Sequence, residues 1–281
     1  MTFTSVSSVA FILLASLVAG GSVRAREADR PISIGTSTQI WSKVLKENRR
    51  VFVYQPEGYG EGHKRYPVVY LLDAENQFVH SIGIVQFLAA TGRIPQLIVV
   101  GITNTDRDRD LTPPTTVEKE IRENPTAGGA ERFLSFIVAE LAPWVESRYR
   151  TAPFRILVGH SYGGLFDIYA LTTRPRDFQA FIAISPALGW DDRHYLQKAE
   201  ESLHALEAPH FLFLACGDQE RRIAETSQEL ATWVEAHPVP GLSFAFQEYV
   251  GEVHGTTPHR SLYDGLEKLY AGWHERGDST K

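Results

Sequence analysis

One short stretch constrains the fold of this chain more than any other, the hexapeptide GHSYGG at residues 159–164. It directly follows the apolar run at residues 156–158 and precedes a segment with helical spacing. A Gly-x-Ser-x-Gly sequence between a strand and a helix is typical of a sharp turn that presents the serine at the edge of a sheet. We expect a β-carbon at Gly159 or Gly163 to collide with the neighbouring strand or helix. The motif therefore predicts that Ser161 is a nucleophile, with an ordinary turn as the alternative.

The rest of the chain alternates short β-rich runs with longer segments of helical period. This pattern predicts a mainly parallel sheet with helices on both faces. The predicted strands are residues 37–45, 49–55, 67–72, 97–102, 154–158, 180–184, 211–216 and 242–249. The predicted helices are residues 132–149, 165–171, 221–236 and 261–273, and a polar loop follows the fourth strand as far as about residue 129. With the first two strands antiparallel and the others parallel, the sequence predicts a single doubly wound α/β domain with eight strands.

Composition excludes several other classes of protein. The 281 residues are 43% hydrophobic and 22% charged, which is ordinary for a globular domain. The formal net charge is −6 and no dense basic cluster is present, which argues against nucleic-acid binding. The single cysteine, Cys216, cannot form an internal disulfide, and its place at the end of a predicted strand favours a buried packing role.

The first 25 residues predict a secretory signal peptide. The apolar run at residues 9–19 is too short for the roughly 20 residues that a membrane-spanning helix needs. Two small residues, Val23 and Ala25, then occupy the positions that a signal peptidase recognises. One feature departs from the usual pattern, because no Lys or Arg precedes the apolar run. We expect cleavage after Ala25 and an exported, periplasmic or secreted domain at residues 26–281, without stable membrane insertion. A short uncleaved anchor is the alternative.

A serine nucleophile needs a general base, and hydrolases with this motif place first an acid and then a histidine after the serine. His254 lies in the loop GEVHG at residues 251–255, between the last predicted strand and the last predicted helix. His259, near the start of that helix, is the alternative base. His160 flanks the serine, and we expect its ring to pack beneath the turn.

The acid is expected in the loop that follows the strand at residues 211–216. This loop contains two carboxylates, Asp218 and Glu220. Glu220 is favoured because many hydrolases place the acid three residues after the glycine that ends this strand. Asp218 would then cap the helix that begins near Arg221, and it stays the alternative acid. The acid would hold the tautomer of the histidine and stabilise its imidazolium form.

Two backbone amides are expected to bind the oxyanion. One belongs to Tyr162, directly after the nucleophile, and the other to Ala74, in the loop after the third strand. Asp73 would stabilise that loop.

The sequence also contains candidate substrate-binding residues. Arg107 and Arg109 alternate with three aspartates, which indicates either a loop held by local ion pairs or an arginine that contacts an anionic substrate group. Trp190 lies in the long segment at residues 186–209, which we expect over the carboxyl ends of the strands. It would line an apolar pocket or pack at the surface.

Together these motifs resemble the Putative esterase family of α/β-hydrolases, in particular esterases related to those of enterobactin- and bacillibactin-type siderophores. The resemblance extends from about residue 42 to residue 273. It rests on residues 70–74 (YLLDA), 101–113 (GITNTDRDRDLTP), 159–164 (GHSYGG), 184–186 (ISP) with Trp190, and 251–255 (GEVHG).

The resemblance implies an α/β-hydrolase fold and a serine carboxylesterase without a metal or organic cofactor, acting on a small-molecule ester. Carried onto this chain, it makes Ser161 the nucleophile, His254 the base and the region of Glu220 the acid site. Two other functions stay open: transfer of the acyl group to an alcohol other than water, and a binding module in which the GHSYGG turn is only structural.

Overall fold

The computed structural model describes residues 1, 32–204, 206 and 209–273. Apart from Met1, the predicted signal peptide at residues 1–25 lies outside the described residues. The described residues from Ser33 onward form one compact unit. Among the described residues, no helix is long and apolar enough to span a bilayer.

Within the described residues, eight strands form one sheet in the order β1-β2-β4-β3-β5-β6-β7-β8. β2 is antiparallel to both of its neighbours, and every other neighbouring pair is parallel, as predicted. The strands are β1 Thr36–Ser42, β2 Glu47–Tyr54, β3 Tyr66–Leu71, β4 Ile98–Ile102, β5 Thr151–His160, β6 Ala180–Ile184, β7 His210–Gly217 and β8 Leu242–Tyr249.

The described residues contain nine α-helices. They are α1 Ala74–Ala90, α2 Arg107–Leu111, α3 Glu118–Glu123, α4 Ala130–Phe136, α5 Ala142–Arg148, α6 Tyr162–Thr173, α7 His194–Leu203, α8 Arg221–Ala236 and α9 Thr257–Leu269. A π-helical segment, Ile137–Leu141, joins α4 to α5, so the helix predicted at residues 132–149 is one helical segment with a wider turn. The predicted helices after the GHSYGG turn are all present: α8 has the predicted bounds, α6 is longer and α9 is shifted by four residues.

Four helices were not predicted from the sequence: α1, α2, α3 and α7. The predicted polar loop after β4 is wrong in part, because it contains α2 and α3. α2 is only five residues long, and it forms because Asp106 accepts a hydrogen bond from the Arg109 amide at 3.1 Å and so caps its amino end. α1 was not predicted, and it exposes Val79 and Phe87 on its outer face.

Helices cover both faces of the sheet. α1 and α9 pack on one face, against alternate side chains of β3 to β7. α4 to α8 pack on the other face, where Leu165, Phe166 and Ile168 of α6 are each at most 1% exposed. Full burial of such a side chain contributes about 1.5–3 kcal/mol, so α6 is firmly anchored beneath the turn that precedes it.

The fold brings six loops to one edge of the sheet. Because β3 to β8 are parallel, the loops that follow them meet at their carboxyl ends, where open α/β sheets bind ligands. The long segment after β6 is fixed to the loop after α2, since Trp190 Nε1 donates to the Pro113 carbonyl at 2.9 Å and Tyr195 Oη to the Pro114 carbonyl at 3.0 Å.

Candidate active site

Ser161 occupies the sharp turn between β5 and α6. Its φ of 62° and ψ of −116° lie in a region that residues other than glycine rarely adopt, which is the strained conformation that the motif predicts. A β-carbon at Gly159 would lie 2.3 Å from the Gly163 backbone, so only glycine fits there, as predicted. The prediction for Gly163 was wrong, because a β-carbon there would have no atom closer than 3.5 Å. The second tight position is Gly164, whose β-carbon would lie 2.9 Å from the Ile184 carbonyl oxygen.

Glu220 and His254 are brought together, with Oε2 of the carboxylate 2.9 Å from Nδ1 of the imidazole. The Glu220 side chain is only 2% exposed, whereas that of His254 is 43% exposed. The other carboxylate oxygen, Oε1, accepts hydrogen bonds from Thr257 Oγ1 at 2.7 Å, Ser185 Oγ at 2.9 Å and the Gly217 amide at 3.0 Å. The structure thus holds Glu220 with hydrogen-bond donors on both oxygens.

Burial alone would raise the pKa of Glu220, because it removes water from the carboxylate. The hydrogen bonds from His254, Thr257, Ser185 and Gly217 outweigh burial and lower the pKa of Glu220 to about 2. Glu220 is therefore ionised at neutral pH. An ionised acceptor at Nδ1 favours the imidazole tautomer that carries its hydrogen on Nδ1 and leaves Nε2 free to accept a proton.

The two alternative residues lie elsewhere. Asp218 Oδ1 accepts a hydrogen bond from the Gly251 amide at 2.9 Å, so Asp218 fixes the loop that carries His254. The expectation that Asp218 caps α8 was wrong, since Glu220 holds the position before that helix and makes no side-chain cap. His259 is exposed, and its ring centroid lies 5.4 Å from that of His80 on α1.

Ser161 lies next to this pair without a direct hydrogen bond to it. In the part of the chain that the structure describes, the contact of His254 at hydrogen-bond distance is to Glu220, and Ser161 makes none to His254. The Ser161 amide donates to the Ile184 carbonyl at 2.9 Å, and the next residue, Ser185, donates to Glu220. A serine hydroxyl rotates freely, and hydrogen bonds in such sites are often long until substrate binds.

His160 departs from expectation. Its ring does not pack beneath the turn but lies against His254, with the ring centroids 4.4 Å apart and the planes inclined at 39°. Burial, and then the proximity of His254, lower the pKa of His160 to about 4. His160 is therefore neutral at neutral pH.

The two amides expected to bind the oxyanion both open a helix. Tyr162 is the first residue of α6 and Ala74 is the first residue of α1. The first amides of a helix have no acceptor within that helix, so neither amide is used by its own helix. Each follows a residue with positive φ, 62° at Ser161 and 52° at Asp73, which turns the chain sharply into the helix.

Asp73 stabilises the loop after β3, as predicted. Arg107 donates to both of its carboxylate oxygens, at 2.7 and 2.9 Å, and Asn104 Nδ2 donates to Oδ1 at 2.6 Å. Arg107 Nη2 also donates to the His160 carbonyl at 3.1 Å. Arg107 thus fixes the loop of Ala74 to the end of the strand that carries Ser161.

The three candidate substrate-binding residues differ in their positions. Arg109 pairs with Glu47 and Asp110, beside the β1–β2 hairpin, so the ion-pair alternative describes it. Arg107 also has a carboxylate partner, yet it is 32% exposed and lies over the Tyr162 ring at 5.4 Å. Trp190 is only 5% exposed and packs edge-on against Tyr162, with ring centroids 5.4 Å apart.

Beside Tyr162 lies a cleft of about 480 Å³. Trp190 and Ile223 form apolar parts of its wall, while its charged side chains carry both signs and are Glu120, Asp192, Arg193, Arg222 and Glu225. Sequence reasoning missed the contribution of α8 to this cleft. It also missed Ser185, which directly follows β6, and Thr257, which is the first residue of α9.

Two further groups bear on the chemistry of the site. Cys216 is fully buried, and burial raises the pKa of its thiol to about 12, so it is not a thiolate at neutral pH. Among the described residues, no group of three or more His, Cys, Asp or Glu side chains is arranged to hold a metal ion.

Comparison with known proteins gives relatives that are named as esterases. The model of the family described as Putative esterase matches residues 42–238. The ferri-bacillibactin esterase BesA of Bacillus subtilis is 34% identical over 245 residues, which cover 78% of this chain and 84% of that protein. The siderophore triacetylfusarinine C esterase of Aspergillus fumigatus is 30% identical over 202 residues, covering 61% of this chain and 67% of that protein.

The fold has a similar solved counterpart. An IroE-like serine hydrolase from Shewanella oneidensis superimposes with a TM-score of 0.80 at 37% identity. The match covers 84% of this chain and 80% of that one.

Proposed function

Because this chain belongs to the Putative esterase family and is a carboxylic ester hydrolase, we propose that it cleaves its substrate through an acyl-enzyme on Ser161. The observation that carries the proposal is the buried, ionised Glu220 at 2.9 Å from His254, beside the strained turn that presents Ser161. A hydroxyl becomes an effective nucleophile when a base accepts its proton, and a base is effective when a third group orients it.

In the first half of the reaction, Ser161 Oγ attacks the ester carbonyl carbon while His254 Nε2 accepts the hydroxyl proton. Glu220 stays ionised and stabilises the imidazolium that forms. The negative charge on the carbonyl oxygen is stabilised by the Tyr162 and Ala74 amides. Collapse of this intermediate breaks the bond to the alcohol oxygen, which takes the proton from His254 as the alcohol leaves.

In the second half, water attacks the acyl group on Ser161, and His254 Nε2 accepts a proton from that water. The same amides stabilise the second oxyanion. As the acyl–oxygen bond to Ser161 breaks, His254 returns the proton to Ser161 Oγ. The products are a carboxylic acid and an alcohol, and the enzyme returns to its starting state.

We further propose that the substrate is a siderophore-type ester or lactone, or a short-chain acyl ester. The support for the first is that two relatives are named esterases of ferri-bacillibactin and of triacetylfusarinine C. The cleft beside Tyr162 and Trp190 would receive one side of the ester, since Tyr162 directly follows Ser161 in the chain and the cleft offers an aromatic wall with charges of both signs.

Substitution of the nucleophile tests the proposal. Ser161→Ala should abolish hydrolysis of a short p-nitrophenyl ester and labelling by a fluorophosphonate probe, while its thermal unfolding stays that of a folded domain. Ser147→Ala, at an exposed serine of α5, is the matched control and should keep full activity. Full activity in Ser161→Ala would refute the mechanism, and products that form only with an added alcohol would indicate acyl transfer.

We propose as well that residues 1–25 direct export of the domain. Expression of the full chain and of a chain lacking residues 2–25, followed by cell fractionation, tests this. The full chain should reach the periplasm or medium with its amino terminus at residue 26. Equal retention of both chains in the cytoplasm would contradict it.

A further inference from the structure

A small cavity lies between α1, α9 and the carboxyl ends of β3, β5 and β6. The space open to the centre of a water molecule is about 10 Å³, which is room for roughly one water. Most of its wall is apolar, but four polar side chains also line it: Gln77, His80, Ser81 and His160.

Three of these side chains have a buried polar atom with no hydrogen-bond partner among the described residues. The atoms are His80 Nδ1, Ser81 Oγ and His160 Nε2. A buried polar group that lacks a partner costs about 1–3 kcal/mol, so three around one cavity would be a heavy cost. Buried waters typically make about three hydrogen bonds to such groups.

His160 connects this cavity to the proposed base. Its ring lies at 4.4 Å, centroid to centroid, from the ring of His254, while its Nε2 is the buried atom without a partner. Its backbone is fixed separately, since the His160 carbonyl accepts from Arg107. The ring is therefore the part of His160 whose position depends on the cavity.

The charges around His160 come from several elements. Asp73 before α1 and Glu220 before α8 favour its protonated form, whereas His254 and Arg107 oppose it. His80 lies across the cavity. Burial outweighs the two carboxylates, so the ring beside His254 carries no charge at neutral pH. A neutral neighbour does not repel the imidazolium that the proposed mechanism forms on His254, as a second cation would.

We propose that His160 is a positioning residue for His254, held by a single buried water that Nε2 shares with Ser81 Oγ and His80 Nδ1. The water fixes the plane of the His160 ring, and this ring in turn supports the His254 imidazole through their ring-to-ring contact. The kinetic consequence rests on the proposed function, but the water and the ring orientation do not.

Kinetics with active-site titration provide the first test. His160→Phe keeps a ring of similar size but loses Nε2, and Ser81→Ala removes one partner of the water without touching His254. Per fluorophosphonate-reactive site, kcat should fall roughly ten-fold in His160→Phe and a few-fold in Ser81→Ala, with little change in KM, because a loosely held base is misplaced in the transition state. Ser227→Ala is the matched control, since Ser227 Oγ is also a buried helix hydroxyl but does not line this cavity.

Nuclear magnetic resonance of ¹⁵N-histidine-labelled protein provides a test that needs no turnover. The ring nitrogen signals of His160 should remain those of a neutral imidazole from pH 8 to about pH 5, given a pKa near 4. They should shift in Ser81→Ala and stay unchanged in Ser227→Ala.

The proposal is overturned if kcat per reactive site is unchanged in both cavity variants and only the melting temperature falls. It is equally overturned if Ser81→Ala leaves the His160 signals where they are. If the wild-type protein hydrolyses no ester, the proposed function fails, while the signals of His160 still decide whether the water holds its ring.

Discussion

Glu220 and His254 meet through a 2.9 Å contact between a buried carboxylate oxygen and an imidazole nitrogen, although the His254 side chain is 43% exposed. The carboxylate comes from the start of α8 and the histidine from the loop before α9. The pair therefore exists only because β7 and β8 are parallel neighbours. Thr257, at the start of α9, binds the same carboxylate and so fixes the distance between the two helices.

Removal of the charge of Glu220 should impair catalysis far more than removal of that of Asp218. Glu220→Gln keeps the size of the side chain but no longer offers an ionised acceptor to His254 Nδ1, so we expect kcat to fall by roughly 10²–10⁴-fold. Asp218→Asn keeps an oxygen for the Gly251 amide and should change kcat by less than about three-fold. Steady-state hydrolysis of a p-nitrophenyl ester measures both, and the reverse order of effects would assign the acid to Asp218.

Glu220 should also make the fold sensitive to acid. Its pKa falls from an ordinary 4.5 to about 2, so the unfolded state binds its proton first as the pH falls. The stabilisation is fully present above about pH 4.5 and is lost as the pH approaches 2; it is on the order of 3 kcal/mol. Urea unfolding at a series of pH values should show a smaller decline between these limits in Glu220→Gln. An unchanged decline in that variant would place the acid sensitivity elsewhere.

Asp167 should have the opposite effect. This residue of α6 is fully buried, and neither carboxylate oxygen has a partner at hydrogen-bond geometry. Burial raises its pKa well above the ordinary 3.8, and a favourable interaction with the Gly159 backbone offsets this only in part. The folded state therefore holds the proton longer than the unfolded state, and its contribution to stability declines as the pH rises above about 3.8.

The neutral variant Asp167→Asn tests this directly. Between pH 5 and pH 8 its unfolding midpoint in urea should rise relative to that of the unsubstituted protein. Asp177→Asn, which removes one partner of a surface ion pair with Arg174, is the control, and its unfolding midpoint in urea should stay close to that of the unsubstituted protein. A parallel pH dependence in Asp167→Asn and the unsubstituted protein would show that Asp167 does not titrate in this range.

Substitution of Arg107 and of Arg109 should have different effects, the first on catalysis and the second on stability. Arg107→Gln leaves the buried Asp73 carboxylate without its bidentate partner and frees the His160 carbonyl, so we expect kcat per reactive site to fall roughly ten-fold. Arg109→Gln breaks its pairs with Glu47 and Asp110 near the β1–β2 hairpin and should lower the melting temperature with kcat per reactive site unchanged. Loss of kcat in Arg109→Gln alone would contradict these assignments.

Filling the cleft should discriminate between substrates by size. Ile223→Trp replaces an aliphatic side chain in the cleft wall with a bulky indole, so kcat/KM should fall for bulky esters and stay within about three-fold for an acetyl ester. Thr232→Trp, on the exposed side of the same helix, is the control. Equal losses for small and bulky esters would mean that the substrate does not enter the cleft.

The parts of the fold that local sequence determines were predicted well. The GHSYGG turn, the positions of the strands along the chain and the parallel sheet follow from apolar runs and glycines that act within a few residues. α2 was missed because five mostly charged residues form a helix here only through the Asp106 cap and the ion pairs of Arg107 and Arg109.

The surroundings of the site were harder to predict, because they depend on residues distant in sequence. Ser185 and Thr257 bind Glu220 across separations of 35 and 37 residues, and an isolated serine or threonine carries no signal of this. The predicted place of the His160 ring, beneath the turn, was wrong for the same reason. The turn itself does not determine which way this ring faces, because His254, which lies beside it, is distant in sequence.

The most direct test of the account is to identify the residue that carries the acyl group. The enzyme is quenched with acid during turnover of a slowly hydrolysed ester, digested and mapped by mass spectrometry. The account predicts one acyl adduct, on Ser161, that is absent from Ser161→Ala. An adduct on another residue, or undiminished turnover in Ser161→Ala, would contradict it.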